Sequence, residues 1–132
     1  MGHPTILVID DEPEVLALVS RMLTARDYEV VSMGCPLQAL EFVCNTPSFD
    51  LVVSDVIMPG LCGPELVRRI LEVWPNAGVI LMSGYLSREE LPTYVGFLTK
   101  PFALRDLFAS VERALASRGQ RPETRYAGSA SS

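Results

Sequence analysis

The sequence predicts an α/β fold in which a parallel sheet is covered by helices on both faces. Three observations carry this reading. Short apolar runs rich in Val, Ile and Leu recur along the chain without polar alternation, which marks strands buried on both sides. Between them lie stretches with apolar residues at helical spacing. Several of those stretches open on proline, whose missing N–H is no loss in the first turn of a helix. The clearest run is Leu51-Val52-Val53-Ser54-Asp55. Asp50 precedes it and Met58-Pro59-Gly60 follows, which leaves too little room for a helix, and it delivers one carboxylate at its end.

The other elements follow in order. Thr5-Ile6-Leu7-Val8-Ile9 is the first strand and ends at Asp10-Asp11. Glu12-Pro13 opens a helix whose inward stripe is Leu16, Val19 and Leu23, with Val15, Leu18 and Met22 beside them, and which stops near Arg26-Asp27. Acids ahead of Pro13 suit the positive end of the helix dipole. Residues 28–32 form a second strand, of mixed polarity and therefore at an edge. Gly34-Cys35-Pro36 starts a helix expected to turn Leu37, Leu40, Val43 and Cys44 inward and to end before Pro47. After the Asp55 strand, Gly63-Pro64 opens a third helix with Val67, Ile70, Leu71 and Trp74 inward, closed by Pro75-Asn76. Val79-Ile80-Leu81-Met82 is a fourth strand that ends at Ser83-Gly84. Residues 85–94 have room for a turn or two of helix before Pro92 interrupts. Residues 95–99 are a fifth strand leading to Lys100-Pro101. A last helix over about 103–117 carries Leu104, Leu107, Phe108, Val111 and Leu115 on one face. Five strands alternating with helices, joined by right-handed crossovers, leave few topologies.

Length and composition bound the rest. The chain has 132 residues, one domain's worth, and its 48% hydrophobic content can build a core without disulfide or metal staples. We expect a domain over 1–118 and a disordered tail or linker stump over 119–132, where large apolar residues almost vanish. The formal net charge of -5 argues against nucleic-acid binding, which needs a basic face. No apolar run approaches the length of a membrane span. Three cysteines without paired spacing point to a reduced, cytoplasmic compartment.

In a parallel sheet all strand carboxyl ends lie on one rim, where ligands bind. That rim collects Asp10, Asp11, Asp55, Ser83 and Lys100. Three carboxylates together resist joint ionisation. A hard divalent cation relieves this, and oxygen ligands without Cys or His suit Mg2+ rather than zinc. A carboxylate beside a cation, an ammonium and a hydroxyl is equipped to accept a phosphoryl group as an acyl phosphate.

Ile6-Leu7-Val8-Ile9-Asp10-Asp11-Glu12, Asp55 with Met58-Pro59-Gly60, Ser83-Gly84 and Lys100-Pro101-Phe102 together resemble the receiver domain of two-component response regulators. The resemblance spans residues 5–116. It implies a flavodoxin-like doubly wound sheet of strand order 2-1-3-4-5. It implies Asp55 as phosphoacceptor, Asp11 as the more direct Mg2+ ligand, Asp10 acting through water, and the backbone carbonyl of Ile57 as a further ligand. Ser83 becomes the switch hydroxyl, Lys100 the phosphate-binding ammonium, Phe97 the switch aromatic and Lys100-Pro101 a cis peptide. The partner it implies is a histidine kinase or a histidine phosphotransfer protein. Ser83-Gly84-Tyr85 before a short fourth helix is similar to receivers of hybrid histidine kinases. With no output domain attached, the chain reads as a single-domain regulator or a piece of a longer protein.

Two rival readings remain beside this one. A receiver-like binding module that never needs phosphate would not have to keep Asp55, Ser83 and Lys100 together. A phosphoaspartate phosphatase similar to the haloacid dehalogenases places an acid or Thr two residues after its nucleophile, where this chain has Ile57. A nucleotide or flavin domain fits poorly, because Asp10-Asp11-Glu12 after the first strand repels phosphate. Ile57 and Tyr85 flank the reaction centre and are expected to slow attack by water on a phosphoryl group. Cys62 reads as a bystander thiol and Trp74 as packing.

Overall fold

The computed structural model describes residues 3–84, 91 and 94–118. The expected short helix over 85–94, apart from Leu91 and Tyr94, and the expected tail over 119–132 lie outside the described residues. The elements run β1 (Thr5–Ile9), α1 (Pro13–Ala25), β2 (Glu29–Met33), α2 (Pro36–Cys44), β3 (Leu51–Asp55), α3 (Gly63–Val73), β4 (Gly78–Ser83), β5 (Gly96–Thr99) and α4 (Leu104–Ser117). All strands pair in parallel, in the order β2-β1-β3-β4-β5 that was expected. Every residue of β3 and β4 is buried, as the unbroken apolar runs required, while β2 lies at an edge and is half exposed.

Alternation along the strands sends side chains into two cores. Leu7, Ile9, Val52, Val79 and Leu81 pack under α2 and α3. Ile6, Val8, Leu51, Val53, Ile80 and Met82 pack under α1 and α4. Val67, Ile70, Leu71 and Trp74 all point inward as expected. Trp74 stacks on Phe49 with ring centroids 5.1 Å apart and donates its indole N–H to the Thr46 carbonyl at 3.1 Å. Burying such a ring is favourable only with its polar edge paired.

Three helices bury most of the expected stripe but turn one or two of its residues outward. In α2 the inward face is Pro36, Ala39 and Val43, whereas Leu37 is 57% exposed and Cys44 is also exposed. Leu37 lies about 200° around the helix from Ala39, so once small Ala39 seats the helix against the sheet, Leu37 must face out. In α1 the fully buried residues are Val19 and Leu23, and Leu18 is 45% exposed. In α4 the buried set is Leu107, Ser110, Val111 and Ala114, and Leu104 is 48% exposed. The Ala114 carbonyl lies against Gly78 at the start of β4. Leu104, ten residues earlier, is therefore about 15 Å along the axis, near the carboxyl rim where the sheet ends.

A candidate phosphoacceptor site

Register puts the polar residues on one rim. Ile9 pairs with Ser54, Asp55 with Met82, and Ser83 with Thr99. Asp10 and Lys100 follow Ile9 and Thr99 directly, and the Lys100 N–H donates to the Ser83 carbonyl at 3.0 Å. The loop after β3 is held by Gly63, whose N–H donates to the Val56 carbonyl at 2.7 Å. A Cβ at Gly63 would press into the backbone of Asp55 and lie 2.8 Å from Val56 Cα. Only glycine lets the start of α3 approach the end of β3 this closely.

Asp10 is fully buried and Asp55 nearly so, while Asp11 is the most open of the three carboxylates. One oxygen from each lies within 4.8 Å of the others. Lys100 Nζ meets two of these carboxylates and a fourth acid, at 3.2 Å from Asp10 Oδ2, 3.3 Å from Asp55 Oδ1 and 3.4 Å from Glu12 Oε1. Backbone donors complete the shell. The Glu12 N–H donates to Asp10 Oδ1 and the Val56 N–H to Asp55 Oδ1, both at 2.9 Å. Glu12, just ahead of Pro13, makes no side-chain cap bond to α1, and its N–H goes to Asp10.

The electrostatics follow from burial and crowding. Burial pushes the Asp55 carboxyl above its ordinary value, the charge of Asp10 pushes it further, and Lys100 pulls it back only in part. Burial likewise raises Asp10, against the Glu12 N–H and Lys100. For Lys100, burial is the largest influence and opposes the ammonium, but Asp10 and Asp55 together outweigh it and the net shift is upward. Three carboxylates against one ammonium leave excess negative charge in a tight space. That donor set fits an oxygen-ligated divalent cation.

The site opens into a cleft of about 680 Å3. Asp11, Glu12, Asp55, Ser83 and Lys100 form its polar end, and Val15, Leu18 and Met22 of α1, with Phe102 from the segment before α4, form an apolar wall. Ile57, 57% exposed, lines the same cleft. Ser83 is buried beside it. The Lys100-Pro101 peptide is cis, as expected. Phe97 stands apart: it is half-buried against the core under α3 and lines a separate hollow with Phe102, Asp106 and Arg113. The structure thus brings together Asp10, Asp11, Asp55, Ser83, Lys100 and Ile57, and leaves Phe97 outside the cleft. Sequence reasoning missed the Glu12 contact to Lys100 and the part that Leu18 takes in the cleft wall. The signal for Leu18 was its place at the margin of the α1 stripe.

Among the described residues no helix is long and apolar enough to cross a membrane. Residues 6–112 match the pattern of the response regulator receiver domain. The sensor kinase CckA of Brucella abortus is 36% identical over 120 residues, a match covering 86% of this chain and 13% of that protein. The transcriptional regulatory protein TcrA of Mycobacterium tuberculosis is 36% identical over 130 residues, covering 93% of this chain and 51% of that protein. The chain thus spans about half or less of the length of these curated relatives. Among solved structures, the receiver domain of the hybrid histidine kinase CckA superposes with a TM-score of 0.75 at 37% identity, covering 84% of this chain and 98% of that one. The chemotaxis protein CheY4 of Vibrio cholerae gives 0.78 at 25% identity, covering 86% of this chain and all of that one. The fold is flavodoxin-like, and the chain belongs to the receiver domain family of two-component response regulators, whose members are phosphoacceptor switches.

Proposed function

We propose that Asp55 is the phosphoacceptor of this receiver, and that its donor is a phosphohistidine on a histidine kinase or a histidine phosphotransfer protein. The observation that carries this is the convergence of Asp11, Asp55 and Lys100 at the polar end of an open cleft, with buried Asp10 in the same carboxylate cluster. Asp55 already directs Oδ1 to the Val56 N–H and Lys100, which leaves Oδ2 as the oxygen to attack. A P–O bond forms, the P–N bond of the phosphoimidazole breaks, and the leaving imidazole takes up a proton from solvent. Asp10, Asp11, Asp55 and the backbone carbonyl of Ile57 would hold Mg2+, which supplies positive charge to the transferring phosphoryl oxygens. Lys100 would give up its carboxylate contacts to bind a phosphoryl oxygen, and the Ser83 hydroxyl would donate to another. Ser83 drawn toward Asp55 leaves space that Phe97 can enter, changing the face made by β5 and α4.

The apolar wall of Val15, Leu18, Met22 and Phe102 beside the site would receive the donor protein around its histidine. Free Cys35, Cys44 and Cys62 favour a cytoplasmic setting. The kinship with the CckA receiver supports a place within a hybrid kinase or a phosphorelay. Turnover as a phosphatase is disfavoured because Ile57 supplies no acid or base. The test is borohydride trapping after phosphorylation, which reduces an aspartyl phosphate to homoserine. Peptide mass mapping should find homoserine at position 55; homoserine elsewhere would overturn the assignment.

A further inference from the structure

We infer that Glu12 is a positioning residue for Lys100, and that it sets the balance between cation binding and phosphoryl binding at this site. The inference rests on the reading of Asp55 and Lys100 given above. Lys100 Nζ is shared by three carboxylates at nearly equal distances, 3.2 Å to Asp10, 3.3 Å to Asp55 and 3.4 Å to Glu12. The three partners differ in how they are held. Asp10 is fully buried and tied to the Glu12 N–H, and Asp55 is largely buried and tied to the Val56 N–H. The Glu12 side chain is 61% exposed. It therefore draws the ammonium toward solvent, away from the acceptor oxygen.

This placement has opposite consequences for the two ligands. Without a phosphoryl group, Glu12 keeps part of the Lys100 charge off Asp55 and adds a negative charge near the carboxylates, and both favour a divalent cation. When a phosphoryl group arrives, Lys100 must leave Glu12 to meet it, and the Glu12 carboxylate then faces an added anion. Glu12 therefore holds the site ready for its cation and works against the phosphorylated state. Neutralising it should weaken Mg2+ alone and strengthen the phosphoryl mimic. An exposed ion pair of this kind is screened, so each effect should be modest, about threefold.

The experiment is calorimetric titration of the wild-type chain, Glu12→Gln, Lys100→Ala and the double variant. Each is titrated with Mg2+ alone and with beryllofluoride in saturating Mg2+. The Lys100 ammonium resonance is followed by NMR in the first two. Glu12→Gln should bind Mg2+ about threefold more weakly and beryllofluoride about threefold more tightly, with a shifted ammonium resonance before any ligand is added. In the Lys100→Ala background the gain for beryllofluoride should shrink, because only the direct repulsion between Glu12 and the added anion remains. An unchanged beryllofluoride affinity in Glu12→Gln, or the same gain without Lys100, would overturn the inference while leaving the receiver reading intact. A wild-type chain that binds neither ligand would overturn the receiver reading itself.

Discussion

Replacing Asp55 with Asn should make the metal-free protein more stable at neutral pH. The magnitude comes from the local charges. Two unit charges 4 Å apart at an effective dielectric near 20 interact by about 4 kcal/mol. Asp55 has two carboxylates within 4.8 Å and the Lys100 ammonium at 3.3 Å. Scaled by distance, that is roughly 3.5 kcal/mol of repulsion from each carboxylate against about 5 kcal/mol of attraction. The difference is on the order of 2 kcal/mol of net repulsion, and screening at the open mouth reduces it to about 1–2 kcal/mol. Asn keeps the oxygen that accepts the Val56 N–H, so no new unpaired group offsets the gain. For a domain of this size the melting temperature should rise by roughly 5 °C. The pH dependence has a definite sign. The folded-state pKa of Asp55 lies above 3.8. Folding therefore favours its protonated form, and stability is lost as pH rises through the folded value. The gap between wild type and Asp55→Asn should close as pH falls from neutrality toward 3.8. Mg2+ should reverse the order, because a ligand at a hundredfold its dissociation constant stabilises by about 2.7 kcal/mol, and the variant has lost a ligating charge. Thermal unfolding in chelator and in Mg2+, at several pH values, measures all three. An Asp55→Asn variant less stable than wild type in chelator at neutral pH would refute the reasoning.

Other outcomes follow from single contacts. Gly63→Ala forces a methyl group into the backbone of Asp55 and Val56. It should cost about 3 kcal/mol in denaturant unfolding, and a loss under about 0.5 kcal/mol would contradict the close approach. Ile57→Asn replaces an exposed apolar side chain at the cleft with one that can orient water. It should shorten the phosphoryl half-life, and an unchanged half-life would remove Ile57 from the account of water exclusion. Glu65, paired with Arg68 and Arg69 on the surface of α3, has its carboxyl lowered from 4.5 to about 2. A lowered carboxyl stabilises above its unfolded value. The small loss of stability in Glu65→Gln should thus be full above pH 4.5 and fade as pH falls to about 2, as melting curves across that range would reveal.

The parts of this protein legible in its sequence are those set by local pattern. The unbroken runs of β1, β3 and β4 had no other home than the centre of a parallel sheet, and they are buried throughout or nearly so. Once those strands were parallel, Asp10, Asp55, Ser83 and Lys100 had to share a rim. The illegible parts depend on how helices seat. Leu37 and Leu104 fitted an apolar stripe, but Ala39 fixed the rotation of α2, and the length of α4 carried Leu104 to the rim where the sheet ends. Glu12 gave no sign of its contact, because nothing in the sequence says that Lys100, 88 positions later, comes within 3.4 Å of it.

The central claim is that Asp55 takes a phosphoryl group in a cation-dependent reaction. The measurement that tests it most directly is the intact mass of the wild-type chain and of Asp55→Ala after incubation with acetyl phosphate, with and without Mg2+. The account predicts a gain of one phosphoryl group in the wild type, only with Mg2+, and none in Asp55→Ala. A wild type that stays unmodified, or an Asp55→Ala chain that gains the same mass, would contradict it.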